Sequence, residues 1–468
     1  NGVPDDCDID VADPDGDGAV APDCDGNGIV DNCDILGGVR EIAQLRPSIS
    51  AAGFQFGTSI AIDGDVIVVG STTSPLRTTD KVFVFRRHGD AWLEEAVIQP
   101  AAGSGLFDEF IAIASGRIFI AQFESSFSSF RQIAVYERLD GEWRRTGTIG
   151  SAGEDSSECV AIGDEALVRE SLANAASLYR QMEGEWTRVE TYFSSLPDFP
   201  YRGGLAMNDE FAVVGAEGGF RVFDKNDSAM VSGPHLPISP ENVVSSNRSI
   251  VMTDEFVVVG YPRVFAELSY DATGAVNVYR RHAGDEASSA GGVSWAPDAI
   301  LTLGISGGQY QGVAVGAEGD RCFVGYPDYA SADGAVGFYE YDGAAWQLRA
   351  LIQPNISPSP LYFGAAIATS ASYLAVSAGV GVSGVLNSSE DVVVVYAIDL
   401  DIDDNGVHDT CEVDCDANHY PDEGERTIDG FVGALLNGGA LCVFDLNDDG
   451  ALNGLDIDPM IEQLLTGP

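Results

Sequence analysis

Length and charge already limit what this chain does. Its 468 residues carry a formal net charge of −49, and a chain this acidic repels nucleic acid and anionic membrane surfaces. No apolar run approaches the ~18 residues of a membrane-spanning helix, so we expect neither nucleic-acid binding nor membrane insertion. Residues 1–38 carry −11 and residues 399–468 carry −17, which leaves −21 for residues 39–398. The charge thus separates two acidic tails from a long middle segment.

The N-terminal tail contains a spaced ladder of Asp and Asn. Residues 23–34 read D-x-D-x-N-G-x-x-D-x-x-D, which is the ligand spacing of a calcium loop. In such a loop, side-chain oxygens come from positions 1, 3, 5, 9 and 12, a backbone carbonyl comes from position 7, and Gly at position 6 permits the sharp turn. The predicted ligands are Asp23, Asp25, Asn27, Ile29, Asp31 and Asp34.

Two partial loops precede this one. The first residues match a calcium loop only from position 5 onward, so we expect upstream sequence or another chain to supply the missing ligands. A further loop has Ala21 and Cys24 at positions 9 and 12, and it is incomplete unless Asp23 is shared. The ligands predicted for these two partial loops are Asn1, Val3, Asp5 and Asp8, and then Asp13, Asp15 and Asp17.

The middle segment, residues 39–398, repeats seven times at about 45–65 residues. The clearest unit begins at Phe56-Gly57, passes through Gly64-Asp65 and a Val-Val-Gly that ends at Gly70, and continues to Trp92. Each unit shows short segments of alternating apolar residues and Gly-rich turns, which predict four strands and no helix. The predicted fold class is therefore all-β, a seven-bladed β-propeller in which each blade needs its neighbours to bury both faces.

The seventh unit has only three strand patterns before the acidic residues begin at Asp399. A fourth pattern stands ahead of the first unit, at residues 39–47. We predict that residues 39–47 pair with residues 391–398 and complete blade seven. This pairing would place both tails at one junction of the ring.

Five tryptophans follow the turn between the third and fourth strand patterns. Their fixed position favours a structural role in the outer strand over a carbohydrate-stacking surface. They are Trp92, Trp143, Trp186, Trp295 and Trp346.

The C-terminal tail carries three further calcium-loop patterns, one of them with His419 where Gly is expected. A solvated acidic linker is the plainer interpretation of such a segment, but the repeated twelve-residue spacing favours about four to six bound Ca²⁺ ions over both tails. The predicted ligands are Asp401, Asp403, Asn405, Val407, Asp409 and Glu412, then Asp414, Asp416, Asn418, Tyr420, Asp422 and Glu425, and finally Asp445, Asn447, Asp449, Ala451, Asn453 and Asp456.

Three family resemblances rest on these motifs. The middle segment resembles the FG-GAP propellers of integrin α-subunit heads through Phe56-Gly57, Phe363-Gly364 and the repeated Gly-Asp and Val-Val-Gly. The N-terminal tail resembles thrombospondin type 3 repeats, in which calcium loops alternate with cysteines. Residues 414–468 resemble a dockerin, with two loop–helix units, which implies calcium-dependent folding and docking to a partner. The calcium loops that FG-GAP blades often contain have no counterpart in residues 39–398.

Cysteine usage indicates the compartment. Six of the eight cysteines lie in the tails, interleaved with the calcium loops, which suits an oxidising, calcium-rich extracellular location and disulfides whose pairing stays open. Only Cys411 and Cys415 offer zinc-like spacing, and the surrounding oxygens favour a hard ion. We expect Cys159 and Cys322 to be buried free thiols.

No catalytic set stands out in the sequence. The string Gly304-Ile-Ser306-Gly-Gly308 matches a nucleophile elbow literally, but that motif needs a strand, a tight turn and a helix. His88 and His282 occupy corresponding hairpin turns, which repeat ancestry explains. We therefore expect that the protein is not an enzyme.

The leading hypothesis is an extracellular calcium-binding structural and interaction protein. Its calcium loops would rigidify the tails and join copies of the chain head to tail as a filament, or attach the chain to another extracellular protein. One alternative is a monomeric cell-surface adhesin anchored through its dockerin-like module. The other alternative is an extracellular hydrolase that acts in the propeller channel.

Overall fold

The computed structural model describes most of the middle segment. Described are residues 39–398 apart from 50–54, 73–78, 90, 102–106, 126–129, 151–154, 171–174, 194–203, 217–218, 226–229, 232–248, 265–272, 284–292, 304–313, 330–332, 355–361 and 380–390. The predicted acidic tails, 1–38 and 399–468, lie outside this part of the chain, so the domain boundaries assigned to them stay predictions.

Twenty-eight strands are found among the described residues. They form five four-stranded sheets and one eight-stranded sheet, in which a Thr79–Phe107 pairing joins two four-stranded blades, so there are seven blades of four strands. One strand stands apart at the start, β1 (Arg40–Leu45). Blades one to three are β2 (Gln55–Asp63), β3 (Val66–Thr72), β4 (Thr79–His88) and β5 (Ala91–Ile98); β6 (Phe107–Ala114), β7 (Arg117–Phe123), β8 (Arg131–Leu139) and β9 (Glu142–Ile149); and β10 (Ser156–Ile162), β11 (Glu165–Glu170), β12 (Ala175–Met182) and β13 (Glu185–Phe193).

The remaining blades repeat this order. Blades four to seven are β14 (Leu205–Met207), β15 (Phe211–Ala216), β16 (Gly219–Asp224) and β17 (Met230–Val231); β18 (Ser249–Met252), β19 (Phe256–Val264), β20 (Thr273–Ala283) and β21 (Val293–Leu301); β22 (Val315–Glu318), β23 (Arg321–Tyr326), β24 (Ala335–Tyr341) and β25 (Trp346–Ile352); and β26 (Ile367–Thr369), β27 (Tyr373–Ala378) and β28 (Val392–Ala397). The all-β, seven-bladed propeller predicted from the sequence is confirmed.

Blade seven is completed from the start of the chain. Its strand order is β26-β27-β28-β1, so the fourth strand comes from residues 40–45 rather than from the seventh repeat. This is the pairing that the sequence predicts. Leu45 is buried and packs in one core cluster with Val393 and Val395 of β28.

The hydrophobic core lies between consecutive blades. Each core cluster among the described residues draws its side chains from two neighbouring blades, as in the cluster that joins Val68 and Val84 of blade one to Ile118 and Ala134 of blade two. A four-stranded blade buries both faces only when a neighbour covers each of them, which is why the repeat has to be stacked.

The recurrent Gly-Asp of the sequence is the turn between the first and second strands. In blade one Asp63 pairs with Val66, so Gly64 and Asp65 form a two-residue turn, and Gly64 has a φ of 52°. Blades three and six repeat this with positive φ at Gly163 and Gly319. A positive φ costs glycine little, and two-residue hairpins require it, so the motif is local turn chemistry.

A side-chain hydrogen bond replaces the glycine in other blades. In blade four the Asn208 Oδ1 accepts the Phe211 N–H at 2.7 Å. In blades five and seven, Thr253 Oγ1 accepts the Phe256 N–H and Ser370 Oγ accepts the Tyr373 N–H. Short polar side chains close such turns without glycine, which explains why the repeat is hard to see there.

Candidate functional site

The predicted calcium ligands lie outside the described residues. All of them fall within residues 1–34 and 401–456, so the assignment of these ligands stays a prediction. The six tail cysteines and the Gly304–Gly308 string also lie outside the described part. Within that part, no group of three or more His, Cys, Asp or Glu side chains is placed to hold a metal ion.

The most unusual contacts of the ring lie at the seams, which are the interfaces between neighbouring blades. Phe56 and Phe363 of the FG motifs are fully buried, and each backbone N–H is held by the segment that precedes the third strand of the previous blade. The Phe363 N–H donates to the Asp333 carbonyl at 3.2 Å. The Phe56 N–H instead donates to the Asp391 side chain, through Oδ2 at 3.0 Å. Blade seven is thus joined to blade one by a buried carboxyl.

Close backbone contact at these seams requires the glycine of the Val-Val-Gly motif. A Cβ on Gly325 of blade six would lie 2.1 Å from the carbonyl oxygen of Gly364 in blade seven. The two motifs therefore act together at this seam, because the FG segment of blade seven lies directly against the motif glycine of blade six.

Blade three replaces that glycine with a charge. Arg169 stands where Gly70 stands in blade one, and its Nε donates to Glu158 Oε2 at 2.9 Å. Both side chains are almost fully buried. Each also reaches blade four, since the Leu205 N–H donates to Glu158 at 3.0 Å and Arg169 donates to the Gly204 carbonyl. The ion pair therefore joins blade three to blade four.

A second ion pair joins blade three to blade two. The Arg131 guanidinium donates to both carboxylate oxygens of Asp155, with Nε and Nη2 each 2.8 Å from an oxygen. The fork-like geometry of arginine suits this two-point contact. The buried inner-strand acids Asp155 and Glu158 are thus matched by arginines, an arrangement that the sequence analysis missed. Arg169-Glu170 in place of Gly-Ser or Gly-Ala was the available signal.

Four of the five tryptophans pack against an aromatic ring of the preceding blade. Each makes an edge-on contact with ring centroids 4.9–6.1 Å apart. The pairs are Trp92 with Tyr373, Trp186 with Phe119, Trp295 with Phe211, and Trp346 with Phe256. The structural role predicted for these four is confirmed. Trp143 is half-buried, and its Nε1 donates to Glu95 at 3.2 Å.

Blade four, which has no tryptophan, uses a charge instead. Lys225 Nζ lies 2.5 Å from Glu165 Oε2 of blade three. Glu165 is the first residue of its strand, the position that Phe211 and Phe256 occupy in their blades. Although burial opposes it, hydrogen bonds from Lys225 and Arg180 hold the pKa of Glu165 below its ordinary value. A largely buried ion pair thus takes the place of the aromatic pair.

A tryptophan substitution tests the packing role directly. Trp295 is 2% exposed, and Trp295→Ala should destabilise the protein by about 3–5 kcal/mol, because it empties a large site between two blades. Leu348→Ala is the control, since Leu348 lies on an outer strand but is 48% exposed, and it should change stability by less than about 0.5 kcal/mol. Equal denaturant midpoints for the two variants would argue against the packing role.

Both cysteines of the described part are buried and free, as expected. Burial raises the pKa of the Cys159 thiol and of the Cys322 thiol above the ordinary value. Both are therefore unreactive thiols rather than nucleophiles. The described residues contain no helix that is long and apolar enough to cross a membrane.

Comparison with known proteins adds a family match and several distant structures. Residues 39–85 match the family model described as FG-GAP repeat. No curated protein matches the chain. Among solved structures, the chain is similar to the Cps50 (Swd1) β-propeller domain of Myceliophteria thermophila, with 10% identity, a TM-score of 0.47, and coverage of 77% of this chain and 100% of that one. It is also similar to the WD40 β-propeller domain of Doa1, with 12% identity, a TM-score of 0.44, and coverage of 77% and 96%.

The matched segment has a clear structural meaning. Residues 39–85 contain β1, β2 and β3 and most of β4, so they supply the outer strand of blade seven and most of blade one. The match therefore spans the point where the ring closes. The chain is a seven-bladed β-propeller, and the segment that matches the FG-GAP repeat model lies at its closure.

Proposed function

We propose that this chain is an extracellular calcium-binding interaction protein, in which a rigid propeller carries two calcium-set tails. The observation that carries the proposal is the twelve-residue ligand spacing. It occurs in the tails in three complete copies, a fourth with His419 at the glycine position, and two partial copies. The FG-GAP ring supports the same class, because interaction proteins use this architecture as a stable body.

Both tails connect to the same blade. The N-terminal tail ends where β1 begins and the C-terminal tail begins where β28 ends, and both strands belong to blade seven. A blade that shares a hydrophobic core with blade one is a firm attachment for two segments that transmit contacts to other molecules.

Calcium would decide the stiffness of the tails. With net charges of −11 and −17, the tails repel themselves in the absence of a cation. About four to six Ca²⁺ ions would neutralise part of this charge, and the free energy of binding becomes free energy of folding. The tails would then change from expanded segments into stiff connectors.

The incomplete loop supports contact between molecules. The loop that starts at Asp13 has Ala21 and Cys24 where two oxygen ligands are expected. A carboxylate from a second copy, or from another extracellular protein, would complete its coordination. The proposal therefore includes calcium-dependent association, with copies of this chain as the first partner to test.

Sedimentation velocity with calcium and with a chelator tests this association. We expect larger species in calcium and monomers in chelator. Two full-length variants with the same charge change sharpen the test. The loop variant changes the first ligand of four loops, Asp23→Asn, Asp401→Asn, Asp414→Asn and Asp445→Asn. The turn variant changes four exposed acids of the ring, Asp140→Asn, Glu142→Gln, Glu183→Gln and Glu185→Gln.

The turn variant should assemble like the natural chain and the loop variant should not. An assembly that persists unchanged in chelator would contradict the proposal. A monomer in both conditions, whose tails still melt at a higher temperature in calcium, would favour the monomeric adhesin instead.

A further inference from the structure

The seam between blades seven and one contains a carboxyl without a charged partner. Asp391 stands just before β28 and is 9% exposed. Its Oδ2 accepts the N–H of Phe56, which lies 335 residues away in sequence. Its Oδ1 is buried and has no hydrogen-bond partner among the described residues. One backbone donor is therefore the only hydrogen bond described for this side chain.

Glycine makes the enclosure tight. Gly379 has a φ of 96°, and a Cβ at this position would lie 2.5 Å from Asp391 Oδ1. The backbone just after β27 therefore lies directly over the oxygen that has no donor, and β2 covers the other oxygen through the N–H of Phe56. The carboxyl lies between two blades rather than on the surface of one.

Three other acids of the described residues are buried, and each forms an ion pair, as Glu170 does with Arg188. Asp155 faces the guanidinium of Arg131, and Glu158 faces that of Arg169. Asp391 has no such ion pair in the described part of the chain. A buried carboxylate with no cation is unfavourable, whereas the protonated acid is tolerated in an apolar setting.

The titratable groups on the packed elements do not compensate. β2 carries Asp63 at its far end, β27 carries Tyr373 at its far end, and β28 carries Tyr396 near its end. β1 contributes Arg40 and Glu41, and the charge of Glu41 adds to the burial that raises the pKa of Tyr396. The two influences on Asp391 are burial, which raises its pKa to about 7, and the Phe56 N–H, which opposes that rise.

We propose that Asp391 is a proton-dependent latch of ring closure, which holds blade seven against blade one when protonated and loosens that seam when ionised. The proton is exchanged with water, and no other group has to change. The latch lies at the blade that is closed by β1, so its release would act where the two ends of the propeller meet. This goes beyond the calcium-dependent role of the tails and does not depend on it.

The direction of the pH effect follows from linkage. The pKa of Asp391 in the folded protein is raised above the ordinary value of 3.8. The stability that this group contributes is therefore complete below about pH 4 and is lost as the pH rises to about 7. Asp391→Asn resembles the protonated acid at every pH and should lack this loss.

Thermal unfolding of the full chain in chelator, between pH 4 and 8.5, tests the proposal. Relative to Asp391→Asn, the unfolding constant of the natural protein should rise by about a hundred- to a thousand-fold over this range. Asp155→Asn is the matched control, because its carboxylate is ion-paired, and it should destabilise the protein without a step near pH 7. Parallel curves for the natural protein and Asp391→Asn would overturn the latch.

Hydrogen exchange localises the effect. After correction for the intrinsic rate, a peptide that covers residues 55–60 should lose protection by about tenfold or more between pH 6 and 8.5 in the natural protein. The same peptide should keep its protection in Asp391→Asn. Loss of protection spread evenly over all blades would overturn the assignment to this seam.

Infrared spectroscopy of the natural chain keeps the proposal testable even when Asp391→Asn fails to fold. A protonated carboxyl band should persist at pH 6, after exposed acids have ionised, and should disappear between pH 6 and 8.5. The absence of such a band at pH 6 would overturn the proposal without any variant. Asp391→Ser, which also removes the carboxyl, should remove the band.

Discussion

Deletion of residues 1–47 is expected to lower the melting temperature of the ring far more than deletion of residues 1–38. The two truncations differ by nine residues, which include β1, the outer strand of blade seven. Without β1 the backbone of β28 becomes an open edge, and the cluster around Val393 and Val395 loses Leu45. The loss of one buried leucine costs about 2–5 kcal/mol, and the open edge adds a site for aggregation.

Differential scanning calorimetry in chelator measures this difference without interference from the tails. A synthetic peptide of residues 39–47 should restore part of the lost stability when added to the shorter protein. If the two truncated proteins melt at the same temperature, the closure of blade seven by β1 is wrong.

Glu158→Ala is expected to be the most damaging single substitution in blade three, with a cost of about 3–5 kcal/mol. It leaves the guanidinium of Arg169 buried without its carboxylate, and it removes the acceptor of the Leu205 N–H in blade four. The cost arises from the charge that remains rather than from the value of the pair itself. Urea denaturation compares the variant with the natural protein.

Two further variants separate these causes. Replacement of both partners, Glu158→Leu with Arg169→Leu, should recover much of the loss, because it leaves no unpaired charge. Glu142→Ala removes the partner of Arg144 in an exposed pair and should change stability by at most about 1 kcal/mol. A double variant that is less stable than Glu158→Ala would show that the pair stabilises the seam in its own right.

The ring was predictable from the sequence because its signals are local. Gly64-Asp65 marks a turn whose geometry depends on two residues, and the outer-strand tryptophans follow turns of their own blade. The pairing of β1 with β28 is not local, but it follows by counting, since six units have four strand patterns and one has three. Repetition therefore turned a long-range contact into a predictable one.

The contacts at the seams were not predictable, because their signals are not local. The Asp391 carboxyl meets the Phe56 N–H across 335 residues, and no pattern near either residue indicates the other. In the sequence, Arg169 is an irregular residue of a weak repeat. Its role follows only from its contacts with Glu158 and with the backbone of blade four. The chemistry of such a ring depends on contacts between blades, whereas the repeat describes one blade at a time.

The calcium loops are local patterns too, and their ligand spacing is contained within twelve residues. The prediction for the tails therefore rests on the same kind of signal that identified the turns of the ring. The spacing alone does not show which residues supply the ligands that the loop at Asp13 lacks. We propose that these ligands come from a neighbouring loop or from a neighbouring molecule, and the second source would be a contact that no local pattern reveals.

Isothermal titration of the full chain with calcium tests the central claim most directly. The natural protein and the turn variant should each bind about four to six ions. The loop variant should lose the sites at Asp23, Asp401, Asp414 and Asp445 and bind at most two. Equal calcium binding by the loop variant and the natural protein, or no binding by either, would contradict the account of a propeller with calcium-set tails.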